Sequence, residues 1–138
     1  MSNGIDMINV HVYRDSDRNI VKYIVEGHAQ YSKLHKFIEY LMRLIMIKEH
    51  SGYPEIGSDV VCAAVSSVAQ SVLVGLTEVV GLILGTDVED GYLECVLPAE
   101  IDKESRLKAN VLLDTMVLTL KNLEEKYIKL IKIVEMEV

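Results

Sequence analysis

The chain has little of what several protein classes are built from. Its 138 residues include two cysteines, Cys62 and Cys95, two prolines and one phenylalanine. Two cysteines close one bridge at most, which excludes a disulfide framework. A chain this long buries roughly two-thirds of its unfolded surface, so it needs neither bridge nor metal to fold. Basic residues are outnumbered, 14 Lys and Arg against 21 Asp and Glu, for a net charge of −7. Phosphate binding wants clustered Lys and Arg, so no direct nucleic-acid partner is expected. Met1 to Tyr13 mixes Asn3, Asp6 and Asn9 into its apolar residues and does not read as a signal peptide. A cytoplasmic location is expected, where thiols stay reduced. There is no internal repeat and no low-complexity tract, so the chain reads as one domain, 1–138.

What is present is apolar residue in ordered patterns. Ile8, Val10 and Val12 alternate with Asn9 and His11, the period of a half-buried strand. The polar run Asp15 to Asn19 predicts a turn, and Ile20 to Glu26 is β-branched and aromatic enough for the second strand of a hairpin. From Tyr31 to His50, Leu34, Phe37, Ile38, Leu41, Leu44 and Ile45 recur at helical spacing among charged residues, which predicts an amphipathic helix. Gly52 and Pro54 break it.

Gly57-Ser58-Asp59 opens another helix, with Ser58 or Asp59 as N-cap and Gly85 as its C-terminal stop. The apolar run Val60 to Leu84 could span a bilayer by length. It also carries Ser66, Ser67, Gln70, Ser71, Thr77 and Glu78, so a buried central helix is the better reading and no membrane partner is expected. Asp90-Gly91 predicts a turn, Tyr92 to Leu97 a short strand ended by Pro98, and Asp102 to Lys126 a long helix burying Leu107, Val111, Met116, Leu120, Leu123 and Tyr127. Ile128 to Val138 alternates as a last strand, with a frayed continuation of the helix as the competing reading. The order β-β-(α)-α-β-α-β describes an α+β domain, two long core helices on one mixed or antiparallel sheet.

The chemistry concentrates at Cys62. It falls in the first turn of a long helix, just after a glycine-containing loop, where unpaired amides favour thiolate over thiol and could hold an oxyanion. A small core residue on a buried helix is the other reading of the same position. His28 follows Gly27 at a strand end, where an imidazole could take the thiol proton or could simply fill a loop. Asp59 could cap the helix or orient His28. Ser66, one turn after Cys62, could bond near the thiolate or to a helix carbonyl. Cys95 alternates with Glu94 and Val96 in a strand and reads as structural. The other histidines, His11, His35 and His50, complete no ligand set, so no metal is expected.

Taken together, Gly27-His28-Ala29 and Gly57-Ser58-Asp59-Val60-Val61-Cys62-Ala63-Ala64-Val65-Ser66 resemble the ribosomal-processing cysteine protease family. Its hallmark is a Gly-His-Ala element followed by Gly-x-Asp-(Ile/Val)-Val-Cys-Ala-(Ala/Gly)-x-Ser. The resemblance implies a catalytic pair, Cys62 and His28, supported by Gly27, Asp59 and Ser66. It implies removal of an N-terminal extension from a bacterial large-subunit ribosomal protein, a homodimer and no cofactor. The chain departs from the family between the motifs, where residues 32–56 stand in place of a short mobile loop. A lid over the cleft, a dimer contact or recognition of another substrate would each account for that insertion, with the dimer contact preferred. A non-catalytic ribosome-assembly module and a cysteine hydrolase of non-peptide substrates are the alternative functions.

Overall fold

A computed structural model describes residues 7–27 and 58–138. The amphipathic helix expected over Tyr31 to His50, the rest of the 32–56 insertion and His28 lie outside those residues.

Strand β1, Ile8–Arg14, and strand β2, Ile20–Glu26, pair antiparallel, with Val10 opposite Val25 and Val12 opposite Tyr23. The expected turn joins them. Asp15 Oδ1 accepts the amides of Asp17 at 2.9 Å and Asn19 at 3.0 Å, the local bonding for which Asp is favoured in turns. Alternation sends Ile8, Val10 and Val12 to full burial, while His11 stays partly exposed.

Helix α1, Ser58–Val74, continues into a single π-helical turn, Gly75–Val79, closed by the Val80 amide on the Gly75 carbonyl. Strand β3, Gly85–Glu89, strand β4, Tyr92–Val96, helix α2, Lys103–Lys126, and strand β5, Ile131–Glu137, complete the described elements. The window Val60–Val79 is long and apolar enough to cross a membrane. Here Val61, Val65, Ala69, Val72 and Leu76 are buried in a core shared with the sheet and α2. Each such aliphatic side chain contributes roughly 1.5–3 kcal/mol when fully buried.

The sheet order is β3-β4-β2-β1-β5. All pairings are antiparallel except β1 with β5, which run parallel. The α+β class holds: a small domain with a mixed five-stranded sheet and two long helices.

Two expectations are corrected. The helix expected to run to Gly85 ends earlier, and Gly85 opens a strand instead. Gly81, at φ +87°, takes the left-handed conformation that terminates helices. In α2 the buried stripe is Ala109, Leu113, Met116, Val117 and Leu120, whereas Leu107 and Val111, expected inside, are exposed. The terminal segment is a strand, not a frayed helix.

Candidate active site

Residue by residue, the site begins at the exit of β2. Tyr23 is fully buried, and its hydroxyl donates to the Ala69 carbonyl at 3.0 Å, fastening β2 to the middle of α1. Two residues on, Val25 shares a shallow cleft with Ser66, Ala69 and Gln70 of α1 and with Val88, Glu89, Tyr92 and Leu93 of the β3–β4 hairpin. β2 and α1 therefore meet around Ala69, with Ser66, one helical turn after Cys62, on the cleft that Val25 lines.

Gly27 ends β2 in a setting only glycine fits. A Cβ there would stand 3.0 Å from the Ile8 Cα and 3.1 Å from the Met7 carbonyl oxygen. Its amide donates to the Gly91 carbonyl at 2.9 Å. Gly91, at φ +77°, is the second residue of the two-residue turn between β3 and β4, and a Cβ there would run into the Gly27 carbonyl oxygen. The two glycines thus lock the tip of one hairpin against the end of β2, immediately before His28. The sequence marks Gly91 only as a turn residue. Its part in fixing the strand exit depends on a contact across the sheet that no local pattern records.

Cys62 is the fifth residue of α1 and so lies just beyond the first turn, in which it was expected, because the helix starts at Ser58. Helical Cα–Cβ bonds tilt toward the N-terminus, so a side chain at that position leans back over the turn that carries the unpaired amides. Cys62 has none of its surface exposed and belongs to the core cluster. Ser66 is half-buried, and its hydroxyl oxygen accepts the Gln70 side-chain amide at 3.1 Å. The Ser58 and Asp59 side chains, and with them the expected capping or orienting role of Asp59, lie outside the described residues.

Cys95 sits directly opposite Tyr23 in the β2–β4 ladder and is buried. Burial pushes its thiol up to about 11, against a smaller opposite pull from the Tyr23 hydroxyl bonded to it. Burial likewise raises Tyr23, first by desolvation and then through Cys95. This pair is a core contact. His11 lies on the sheet face opposite the buried Val10 and Val12, with Nε2 3.6 Å from Glu26. His35 and His50 lie outside the described residues. Among the described residues, no three His, Cys, Asp or Glu side chains converge as metal ligands.

Comparison with known proteins gives this arrangement a family. The family model for cysteine protease Prp matches residues 35–132, a stretch that contains Cys62 and begins after His28. The ribosomal processing cysteine protease Prp of Bacillus subtilis is 26% identical over 123 residues, covering 88% of this chain and 90% of that one. Among solved structures, the Streptococcus mutans protein SMU.848 superposes with a TM-score of 0.68 at 24% identity over the whole of both chains. The essential ribosomal processing protease Prp of S. aureus, in complex with a substrate peptide, superposes at 0.66 with 18% identity, over 94% of this chain and 99% of that one. At these identities the two structures speak for the fold, and the family match speaks for the chemistry. The chain belongs to the cysteine protease Prp family.

Proposed function

We propose that this chain is a cytoplasmic, homodimeric endopeptidase that removes the N-terminal extension of a large-subunit ribosomal protein, with Cys62 as nucleophile and His28 as its proton carrier. The observation that supports the reading is the contact of β2 with α1 around Ala69, which joins the strand leading to Gly27 and His28 to the helix whose opening turns hold Cys62.

In this mechanism the His28 imidazole takes the Cys62 thiol proton as the sulfur attacks the scissile carbonyl. The carbonyl π pair moves onto oxygen, and first-turn amides of α1 stabilise that oxyanion. Collapse of the tetrahedral species breaks the C–N bond, and His28 returns its proton to the leaving amine. Water then attacks the thioester, with His28 again carrying the proton, and the thiol is released. Ser66 borders the cleft one turn beyond the sulfur. Gly27 sets the strand exit, and Asp59 caps the helix or steadies the imidazole. The thiol is covered in this conformation, so peptide binding must uncover it.

That same burial favours a second reading, a non-catalytic assembly module that keeps the fold without turnover. Incubation with the host's ribosomal protein precursor separates the two. Cys62→Ala and His28→Ala are expected to abolish cleavage while leaving thermal unfolding within a few degrees of the parent. Parental turnover by either purified variant would remove the assignment, and intact precursor after incubation with the unaltered enzyme would favour the module.

A further inference from the structure

Among the described residues β3 is an edge of the sheet, and all five of its residues are exposed. Proteins normally blunt such edges with charged side chains, lysine above all, with proline or with a bulge. β3, Gly-Thr-Asp-Val-Glu, carries Asp87 and Glu89 but neither lysine nor proline, and its register with β4 is regular throughout. The two-residue turn makes Glu89 and Tyr92 a hydrogen-bonded pair, and the antiparallel alternation then turns the backbone of Asp87 toward β4. The amides and carbonyls of Thr86 and Val88 consequently face outward.

Resting on the endopeptidase reading above, we propose that the outer edge of β3 binds the protein substrate by strand addition, taking an extended segment in which basic and apolar residues alternate. Asp87 and Glu89 share one face of the sheet with Glu94 and Tyr92, and Val88 shares the other with Leu93. Val88, Glu89, Tyr92 and Leu93 together border the cleft with Ser66 and Gln70. A strand laid beside β3 meets the two carboxylates on one face and Val88 on the other. Lys22, the basic residue of β2, is already engaged 3.1 Å from Glu94.

Charge decides between occupants. A second copy of this chain pairing β3 to β3 would set carboxylates against carboxylates, and like charges across a ladder destabilise it. A precursor of a nucleic-acid-binding protein is rich in Lys and Arg, so it supplies the opposite sign. Direction also fits. β3 and β2 both run antiparallel to β4, so the two strands head the same way, toward the Gly27–Gly91 contact. An added strand lies three spacings, about 14 Å, from β2, the strand that leads to His28. The edge therefore reads residues remote from the scissile bond.

The test uses the full-length enzyme and the host's large-subunit ribosomal protein precursor, with steady-state kinetics and Cys62 alkylation followed together. Val88→Pro removes one outward amide while leaving the ladder to β4 intact. Asp87→Lys/Glu89→Lys reverses the charge without touching the backbone, so it still reports if the proline variant fails to fold. Each is expected to raise KM about tenfold with kcat and Cys62 alkylation unchanged, and the double reversal should also invert the response to added salt. Glu125→Lys, a single reversal at the C-terminal end of α2, should leave KM unmoved. Cleavage by the unaltered enzyme with parental KM in the folded edge variants overturns strand addition and spares the protease reading. No cleavage by the unaltered enzyme removes both.

Discussion

A thiol is as reactive as its surroundings allow, and the two cysteines have different ones. Cys95 stands mid-strand against the Tyr23 hydroxyl, and burial holds its thiol up at about 11, so at neutral pH it is protonated and inert. Cys62 is equally covered, but it leans toward the amide end of a helix, where the partial positive charge favours thiolate. Brief iodoacetamide labelling at neutral pH should therefore modify Cys62 first, as read by mass mapping of peptides. Faster labelling of Cys95 would count against the helix-end argument and for the non-catalytic reading. From the sequence, Cys62 and Cys95 were separable only by element type and by the family motif. The burial of both, and the Tyr23 contact that quiets Cys95, belong to tertiary packing.

Among the elements, those that bury one face announced themselves. β1 and β5 alternate, α2 starts at Asp102, whose side chain accepts the Ser105 amide as an N-cap should, and Pro98 follows β4. β3 was missed because an edge strand exposed along its whole length has no apolar period to read. The end of α1 was misplaced because Leu82, Ile83 and Leu84 prolong the apolar run past the true stop at Gly81. In α2, apolar residues occur on two sides, and small Ala109, not Leu107, faces the core. The strand exit before His28 was half legible. Gly27 belongs to a motif, but Gly91, which holds it, does not. Gly91→Ala tests that link, since it meets both the left-handed backbone and the Gly27 carbonyl. It should destabilise the fold by about 1–3 kcal/mol in denaturant titration and lower kcat for precursor cleavage by more than the residual folded fraction explains. Stability lost with kcat per folded molecule unchanged would make the glycine pair purely structural.

Over the whole molecule, the chain closes on itself where its first described strand meets its last. β5 runs parallel to β1 in full register from Ile8–Ile131 to Arg14–Glu137, so the fold is complete only when the C-terminal segment docks. One ion network secures the far end of that pairing. Arg14 Nε donates to Glu135 Oε1 at 2.8 Å, Lys121 Nζ lies 2.7 Å from Glu135 Oε2, and Arg14 Nη1 lies 3.7 Å from Asp114. Lys121 first, then Arg14, holds the Glu135 carboxyl below its ordinary value of 4.5. A carboxylate depressed in the folded state contributes stability that is fully present above its unfolded value and lost as pH falls through the folded one. Glu135→Gln should accordingly lower stability at neutral pH by on the order of 0.5–1 kcal/mol, a value kept small by solvent screening. Removing one negative charge from a chain of net charge −7 would by itself relieve repulsion, so any loss reports the local network. Urea titrations of parent and variant should diverge above about pH 4.5 and converge as both forms become neutral in acid. A gap that stays constant across that range would mean that packing of the Glu135 side chain, and not its charge, holds β5 in place.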